Sequence, residues 1–188
     1  MSSVTIRPAD NILRQFSNQI NALGEGKARP ALARSVNRVT SMARTRVIRE
    51  VTRQSSIPRA MVAQAVKRRL ARVNHAGPLE GVIWATGKPI SLKYFRARQF
   101  SFGVKARVQG QWRRYPGTFM GPRPGSIAPK LGGHVFARTS AARLPIEMIF
   151  GPSVPEELVR GEARKAFEEL VASHLPQRVR HELGRLLP

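Results

Sequence analysis

The residues most suited to binding a ligand are cations concentrated between Leu92 and Phe119. The candidates are the side chains of Arg96, Arg98, Lys105, Arg107, Arg113 and Arg114. A guanidinium group presents a planar fork of N–H donors that matches phosphate and carboxylate oxygens, and arginine outnumbers lysine 26 to 7 in this chain. The sequence therefore predicts that this stretch binds a polyanion, either nucleic acid or an acidic protein surface.

The pattern around these cations predicts a β-strand. Every second residue is apolar between Phe100 and Val108, which is the period of a strand with one buried face. We therefore expect one long strand whose apolar face joins the core and whose other face is cationic.

Four aromatic residues lie among these cations, namely Phe95, Phe100, Trp112 and Tyr115. Aromatic rings between cations can stack on nucleic-acid bases. Aromatic residues at alternating strand positions belong more often to the core, however. We therefore predict that these four rings are mainly core residues.

Enzymatic chemistry finds little support in the sequence. The four acidic residues before residue 147 are isolated from one another, whereas a two-metal nuclease needs clustered carboxylates. His174, His181 and Glu182 have no recognisable ligand spacing, and we interpret the two histidines as surface residues. His75 and His134 lie near glycines, so we predict turn or surface positions for them.

The chain also contains no cysteine and no GxxxxGK[ST] motif, which excludes disulfides, thiolate metal sites and a P-loop. We predict no catalytic residues, no metal, no cofactor and no small-molecule substrate, and hence a protein that is not an enzyme.

Charge is distributed unevenly along the 188 residues, whose net charge is +22. Residues 1–146 carry 27 Lys or Arg against four acids, whereas residues 147–188 carry six against seven. Solubility does not require so basic a body, so we expect it to contact a negatively charged partner and the tail to contact other protein. No helix-turn-helix or zinc-finger pattern is present, so contact with DNA would involve phosphates rather than base sequence. No apolar run of about 18 residues predicts a membrane span, and no signal peptide is indicated.

The elements that position the cations are predicted to form an α+β fold with N-terminal helices including one long basic helix, a central mainly antiparallel β-sheet and a C-terminal helix. We divide the chain into an N-terminal helical region (1–74), a β-sheet core (75–151) with a Pro/Gly-rich loop (121–133), and a C-terminal helical tail (152–188).

Within the first region, helical spacing of apolar residues predicts helices over about residues 8–24, 30–55 and 58–72. The strands are predicted at residues 79–85, 90–94, 100–108, 111–115, 134–138 and 144–150. In the tail, Ser153 and Glu156 form a potential capping box, and Pro176 is predicted to kink or restart the last helix, which we expect to pack on the sheet or on a neighbouring subunit.

The order of several segments resembles the minor tail protein Z family of lambda-like phages and prophages. These segments are PALARSVNRV, ISLKYFRARQ, FGVKARV, YPGTFM, GHVFAR and ARLPIEMIFGPSVPEEL. The resemblance extends over about residues 28–187, and Arg143–Pro155 is its most specific part. The loop at residues 121–131 is longer and richer in proline than is usual in that family.

This resemblance implies a structural virion protein that completes the tail at the head–tail junction, or neck. It implies a homo-oligomeric ring, commonly a hexamer, around the DNA path. Its partners would be other copies of itself, the tail terminator, the tail tube, the head–tail connector and the DNA phosphates in the channel, but no membrane. The protein would be assembled in the bacterial host cytoplasm and reside in the virion. The alternative is a free, non-sequence-specific nucleic-acid-binding protein of nucleoid or ribosomal type.

Overall fold

Long helices and small antiparallel sheets make up the computed structural model, which describes residues 2–7, 14–74, 77–125 and 128–187. The helices are α1 (Ser17–Ser55), α2 (Arg59–Ala65), α3 (Val154–Leu158) and α4 (Gly161–Gly184). The strands are β1 (Ser2–Ile6), β2 (Val66–Arg69), β3 (Gly81–Ala85), β4 (Arg98–Phe100), β5 (Gly103–Val108), β6 (Gln111–Pro116), β7 (Thr118–Phe119), β8 (Phe136–Arg138) and β9 (Ile146–Met148). The predicted α+β class is confirmed.

Helix α1 is the central element of the core. Its predicted apolar stripe is fully buried along most of its length, as Val36, Val39 and Val47 show. The helix ends at Ser55, because Ser56 adopts a left-handed conformation and donates its N–H to the Thr52 carbonyl oxygen.

The predicted break before this helix is found at Gly24, whose φ of 69° interrupts α1. Pro30 does not begin the helix as predicted but lies inside it. The predicted start of the first helix, at residues 8–10, lies outside the described residues.

Helix α4 packs along α1, not on a sheet. Leu175, Val179 and Leu183 bury their side chains in the common core. The Ser35 hydroxyl donates to the Arg178 carbonyl oxygen at 3.1 Å. α4 continues through Pro176 without the predicted restart. At the start of the tail, the Glu156 N–H donates to the Ser153 hydroxyl at 3.4 Å, so the predicted cap at Ser153 is confirmed.

The first sheet has the order β1–β3–β2 and is antiparallel throughout. β2 replaces the second half of the predicted third helix, so the cations of residues 67–69 lie on a strand and not at a helix end. The guanidinium of Arg44, on α1, donates to the carbonyl oxygens of Ala63 and Val66 at 2.9 Å, and the chain becomes extended at Val66. An arginine from another element thus satisfies carbonyls at the end of α2.

A small residue is required where this sheet meets α1. A Cβ atom at Gly81 would overlap the hydroxyl of the fully buried Thr40. The close approach of β3 to the helix therefore depends on glycine.

The remaining strands form two further antiparallel sheets, β4–β5–β6 and β7–β8–β9, instead of one central sheet. The strand predicted at residues 90–94 is instead a 3₁₀ turn at Leu92–Tyr94, preceded by an isolated bridge between Ser91 and Phe150. The described part of the 121–133 loop contains a second 3₁₀ turn, at Pro129–Leu131. None of the helices described here is long and apolar enough to cross a membrane.

Candidate polyanion-binding site

The predicted long strand is a hairpin. β4 ends at Phe100, the chain turns, and β5 begins at Gly103, whose φ is 135°. A Cβ atom at Gly103 would overlap the carbonyl oxygen of Tyr115 on the neighbouring strand. Glycine therefore permits the turn that divides the predicted strand.

The predicted alternation of buried and exposed residues holds on β5 and fails before it. Val104, Ala106 and Val108 are buried, as predicted. Phe100 and Phe102 were assigned to the same apolar face, but their side chains are 42% and 40% exposed. The turn at residues 101–102 breaks the period of two, so the apolar residues on its two sides no longer share a face.

Three cations lie in one row across the second sheet. Arg98 pairs in register with Lys105, and Lys105 pairs with Arg114. Residues directly opposite one another in an antiparallel sheet project from the same face. Arg107 lies two residues farther along β5, on that same face, opposite Trp112. We call Arg98, Lys105, Arg107 and Arg114 the cationic face.

No acidic residue neutralises this face within the described chain. The segment from Gly81 to Ile146 contains twelve Lys or Arg and no Asp or Glu, and the salt bridges among the described residues involve none of the four cations. Like charges directly opposite one another destabilise a sheet. A bound anion would relieve this repulsion.

The other two predicted site residues lie elsewhere. Arg113 is opposite Ala106, so it belongs to the other face, where it donates to the Gln109 side-chain carbonyl at 3.0 Å. Arg96 precedes β4 and has a φ of 53°, unusual for a residue other than glycine. The structure thus brings four of the six predicted residues onto one face, separates Arg113 from them, and places Arg96 beside Arg107.

Arg96 and Arg107 line a pocket of about 500 Å³ between the end of α1 and the hairpin. Arg53 and Tyr94 complete its polar rim. Ser56, at its edge, accepts a hydrogen bond from the Gly110 N–H at 2.9 Å. The described residues other than glycine with positive φ are Ser56, Arg96 and Gln109, and all three lie at this junction. Each such conformation costs about 1–3 kcal/mol, and clusters of them are typical of binding sites.

Aromatic rings flank the cationic row on its exposed side. Phe100 and Phe102 are stacked, with ring centroids 5.4 Å apart and planes 4° from parallel. The Arg114 guanidinium lies 5.2 Å from the centroid of Phe102, and Lys105 Nζ lies 5.5 Å from that of Trp112. Trp112 is 48% exposed because it stands opposite Arg107 on the outward face.

The prediction that four aromatic residues are core is therefore wrong for Phe100 and Trp112. Phe95 is fully buried, as predicted, and Tyr115 is half-buried. Burial raises the pKa of the Tyr115 hydroxyl, an effect that the charge of Arg113 partly offsets.

Several cations of α1 are engaged within the chain. Arg34 pairs with Glu182 at 2.7 Å, Arg46 pairs with Glu50 at 3.4 Å, and Arg44 binds the carbonyl groups described above. This basic helix therefore presents fewer available cations than its sequence predicts, and the sheet is the more accessible site.

His134 lies at the end of a turn, as predicted, because its N–H donates to the Leu131 carbonyl oxygen at 3.0 Å; its side chain is half-buried and hydrogen-bonded. Its Nε2 lies 2.9 Å from Lys93 Nζ, and its Nδ1 lies 2.7 Å from the Ser91 hydroxyl. An ammonium group only donates, so Nε2 accepts and Nδ1–H donates to Ser91. His134 therefore has no lone pair with which to take a proton from Ser91, and a serine nucleophile is not assembled.

Burial lowers the pKa of His134, and the charge of Lys93 lowers it further. Among the described residues, no three His, Cys, Asp or Glu are grouped so as to hold a metal ion. His75 lies outside the described residues.

No protein-family model matches the sequence, and searches among curated proteins and solved structures also find no match.

Proposed function

We propose that the protein is a structural component of a phage virion, a minor tail protein that completes the tail at the neck and contacts DNA phosphates through its cationic face. The observation that carries this proposal is the row formed by Arg98, Lys105 and Arg114, whose charges no acidic side chain among the described residues neutralises. Phosphate contacts need cations in a suitable arrangement but no base-reading helix.

The resemblance of the ordered segments to the tail protein Z family supports the location and the assembly. Subunits in a closed ring repeat the same surface around the axis. A cationic face repeated in this way would surround the DNA path with positive charge. The tail terminator, the tail tube and the connector are the proposed neighbours of such a ring, which would be assembled in the host cytoplasm.

The first test of this proposal is the salt dependence of DNA binding. Arg98, Lys105 and Arg114 would be replaced together by glutamine. Each phosphate contact contributes about 0.9 to the slope of log affinity against log salt concentration for duplex DNA. We expect the triple variant to bind more weakly and to lose up to about 2.7 from that slope.

A matched control removes the same charge elsewhere. Arg164, Lys165 and Arg180 are exposed on α4, and their joint replacement by glutamine should leave most of the affinity and the slope intact. Equal effects of the two triple variants would refute a dedicated DNA-binding face and leave only non-specific attraction by net charge.

The location in the virion requires a second measurement. Labelled protein should be found at the neck of assembled particles by electron microscopy, and the purified chain should form rings or co-purify with tail components. A chain that binds DNA as a free monomer or dimer and is absent from particles would instead support the nucleoid-type or ribosomal-type alternative.

A further inference from the structure

We propose that the cationic face binds an unpaired nucleic-acid strand in preference to duplex DNA, with phosphates on the Arg98–Lys105–Arg114 row and bases on the exposed aromatic rings. This inference rests on the proposed function only in taking nucleic acid as the polyanion. It adds that the bound strand is unpaired, and it assigns a base-stacking role to Phe100, Phe102 and Trp112.

The first argument is the order of side chains across the face. Phe100 lies in the row of Gly103, the next row holds the three cations, and the row after that holds Arg107 and Trp112. Successive rows on one face are two residues, or about 7 Å, apart. A phosphate-binding row therefore lies between two aromatic platforms that are about 14 Å apart.

This spacing suits an extended strand. Bases in a B-form duplex are stacked at about 3.4 Å and face their partners, so their planes are hidden from a flat protein surface. An unpaired strand can be drawn out so that one base stacks on each platform while the intervening phosphates meet the cations. A duplex backbone would meet the cations without burying the rings, so it would gain the charge contacts but not the stacking.

The second argument is the exposure of the rings. Phe100, Phe102 and Trp112 are each at least 40% exposed, although burying such rings is favourable. Arg114 and Lys105 hold cation–π contacts to two of them, which orient the rings beside the charges. Stacking on a base would bury the exposed ring faces and leave the charges directed at phosphate.

The third argument is a groove of about 720 Å³ beside the phenylalanine pair. Phe100, Phe102 and Phe119 line it, together with Arg138, whose guanidinium lies 5.3 Å from the Phe119 ring centroid. The groove thus repeats the combination of aromatic ring and arginine. A base displaced from the strand would meet a ring face and a cation there.

An acidic protein segment would also satisfy the charges. It would not require exposed aromatic platforms on both sides of the cationic row, however. The combination of flat aromatic surfaces and cations without any acidic residue is typical of proteins that bind single strands without sequence preference.

The test uses the fluorescence of Trp112. The chain has two tryptophans, and the Trp84→Phe variant leaves Trp112 as the reporter. Titration of the full chain with unpaired oligothymidylate should quench this fluorescence. The affinity for this oligonucleotide should exceed that for a duplex of equal length and salt concentration.

Variants distinguish stacking from charge. Two variants are made in the protein with both tryptophans, Trp112→Leu and the double variant Phe100→Leu/Phe102→Leu. Each should weaken binding of the unpaired strand by about five- to a hundredfold and change the affinity for duplex little. Anisotropy of a labelled oligonucleotide measures both affinities. Phe150→Leu is the control, because Phe150 is 52% exposed but lies outside the face. Thermal unfolding of each variant confirms that it remains folded.

The outcomes separate this inference from the proposed function. If duplex binds as tightly as the single strand and the aromatic variants have no effect, the inference is wrong while contact with DNA phosphates stands. If neither nucleic acid binds at low salt, both proposals fail. Quenching of Trp112 by polyglutamate, without quenching by oligothymidylate, would assign the face to an acidic protein and also overturn the inference.

Discussion

His134 fixes the end of the 121–133 loop through the hydrogen bonds to Ser91 and Lys93. Lys93 also donates to the Gly132 carbonyl oxygen at 3.3 Å, so its ammonium group faces the imidazole from a second direction. A proton on Nε2 would break the contact with Lys93 and place two positive charges side by side. The folded protein therefore binds this proton less readily than an unfolded chain does.

The resulting prediction is a loss of stability in mild acid. Because the pKa of His134 is lower in the folded state than the usual value of about 6.5, the unfolded state takes up the proton first as pH falls. The free energy of unfolding should decrease as pH falls through about 6.5 and level off below the folded-state pKa. Urea denaturation between pH 5 and 8 measures this decrease.

The His134→Gln variant isolates the contribution of this residue. Other titrating groups act alike in both proteins, so the variant should show a smaller dependence of stability on pH. Indistinguishable pH profiles would show that His134 is protonated as easily in the folded chain as in the unfolded one.

At the scale of the element, the second sheet keeps a cationic row whose charge a single substitution would lower from +3 to +1. In Lys105→Glu, the new carboxylate would face Arg98 on one side and Arg114 on the other. Opposite charges across strands contribute roughly 0.2–1 kcal/mol per pair. We therefore expect this variant to unfold at a higher temperature and to bind DNA much more weakly.

Lys105→Gln is the matched control, because both variants lose the contact between Lys105 and Trp112. Lys105→Glu should be more stable than Lys105→Gln by about 1 kcal/mol, for two pairs at roughly 0.2–1 kcal/mol each. Calorimetry and a DNA-binding titration on the same samples measure both quantities. A glutamate variant that is less stable than the glutamine variant would mean that the three side chains do not meet.

Sequence patterns predict the elements that carry a clear period and miss those fixed by tertiary contacts. The stripe of α1 and the buried positions of β5 follow directly from hydrophobic spacing. The change from α2 to β2 at Val66 depends on Arg44, which is 22 residues away in the chain. The turn before Gly103 ends where the Tyr115 carbonyl oxygen approaches so closely that only glycine fits. The sequence around Val66 and Gly103 contains no pattern that predicts their contacts with Arg44 and Tyr115.

The candidate site likewise combines features that the sequence predicts with features that only tertiary contacts decide. The sequence identifies the cations, but the register decides which of them share a face. Pairing with Ala106 separates Arg113 from the rest, and pairing with Arg107 exposes Trp112. The exposure of Phe100 and Trp112 therefore contradicts the prediction that these rings are core residues.

At the scale of the whole molecule, the near-neutral tail is part of the core and not a free arm. Buried residues of α3 and α4 belong to the same apolar cluster as those of α1 and the first two sheets. Polar contacts also join the tail to the rest of the chain, since Glu182 pairs with Arg34 and Glu157 accepts hydrogen bonds from Gln54 and Gln109. Part of the tail surface expected to contact other proteins is thus used within the chain.

This docking predicts a large difference between two nearby leucines of the tail. Leu183 is fully buried, whereas Leu186 remains 37% exposed. Leu183→Ala should lower the free energy of unfolding by about 2–5 kcal/mol, because it removes buried methyl groups and leaves a cavity. Leu186→Ala should cost less, since more than a third of this residue is already exposed to water before the change.

Urea denaturation at neutral pH measures both values, and an unchanged slope of free energy against urea concentration would confirm that the same cooperative unit unfolds. Because the cationic face contains no residue of α4, Leu183→Ala should retain its affinity for nucleic acid at temperatures where it remains folded. Equal, small effects of the two substitutions would show that α4 does not pack on α1, and the tail would then be available to neighbouring subunits in a ring.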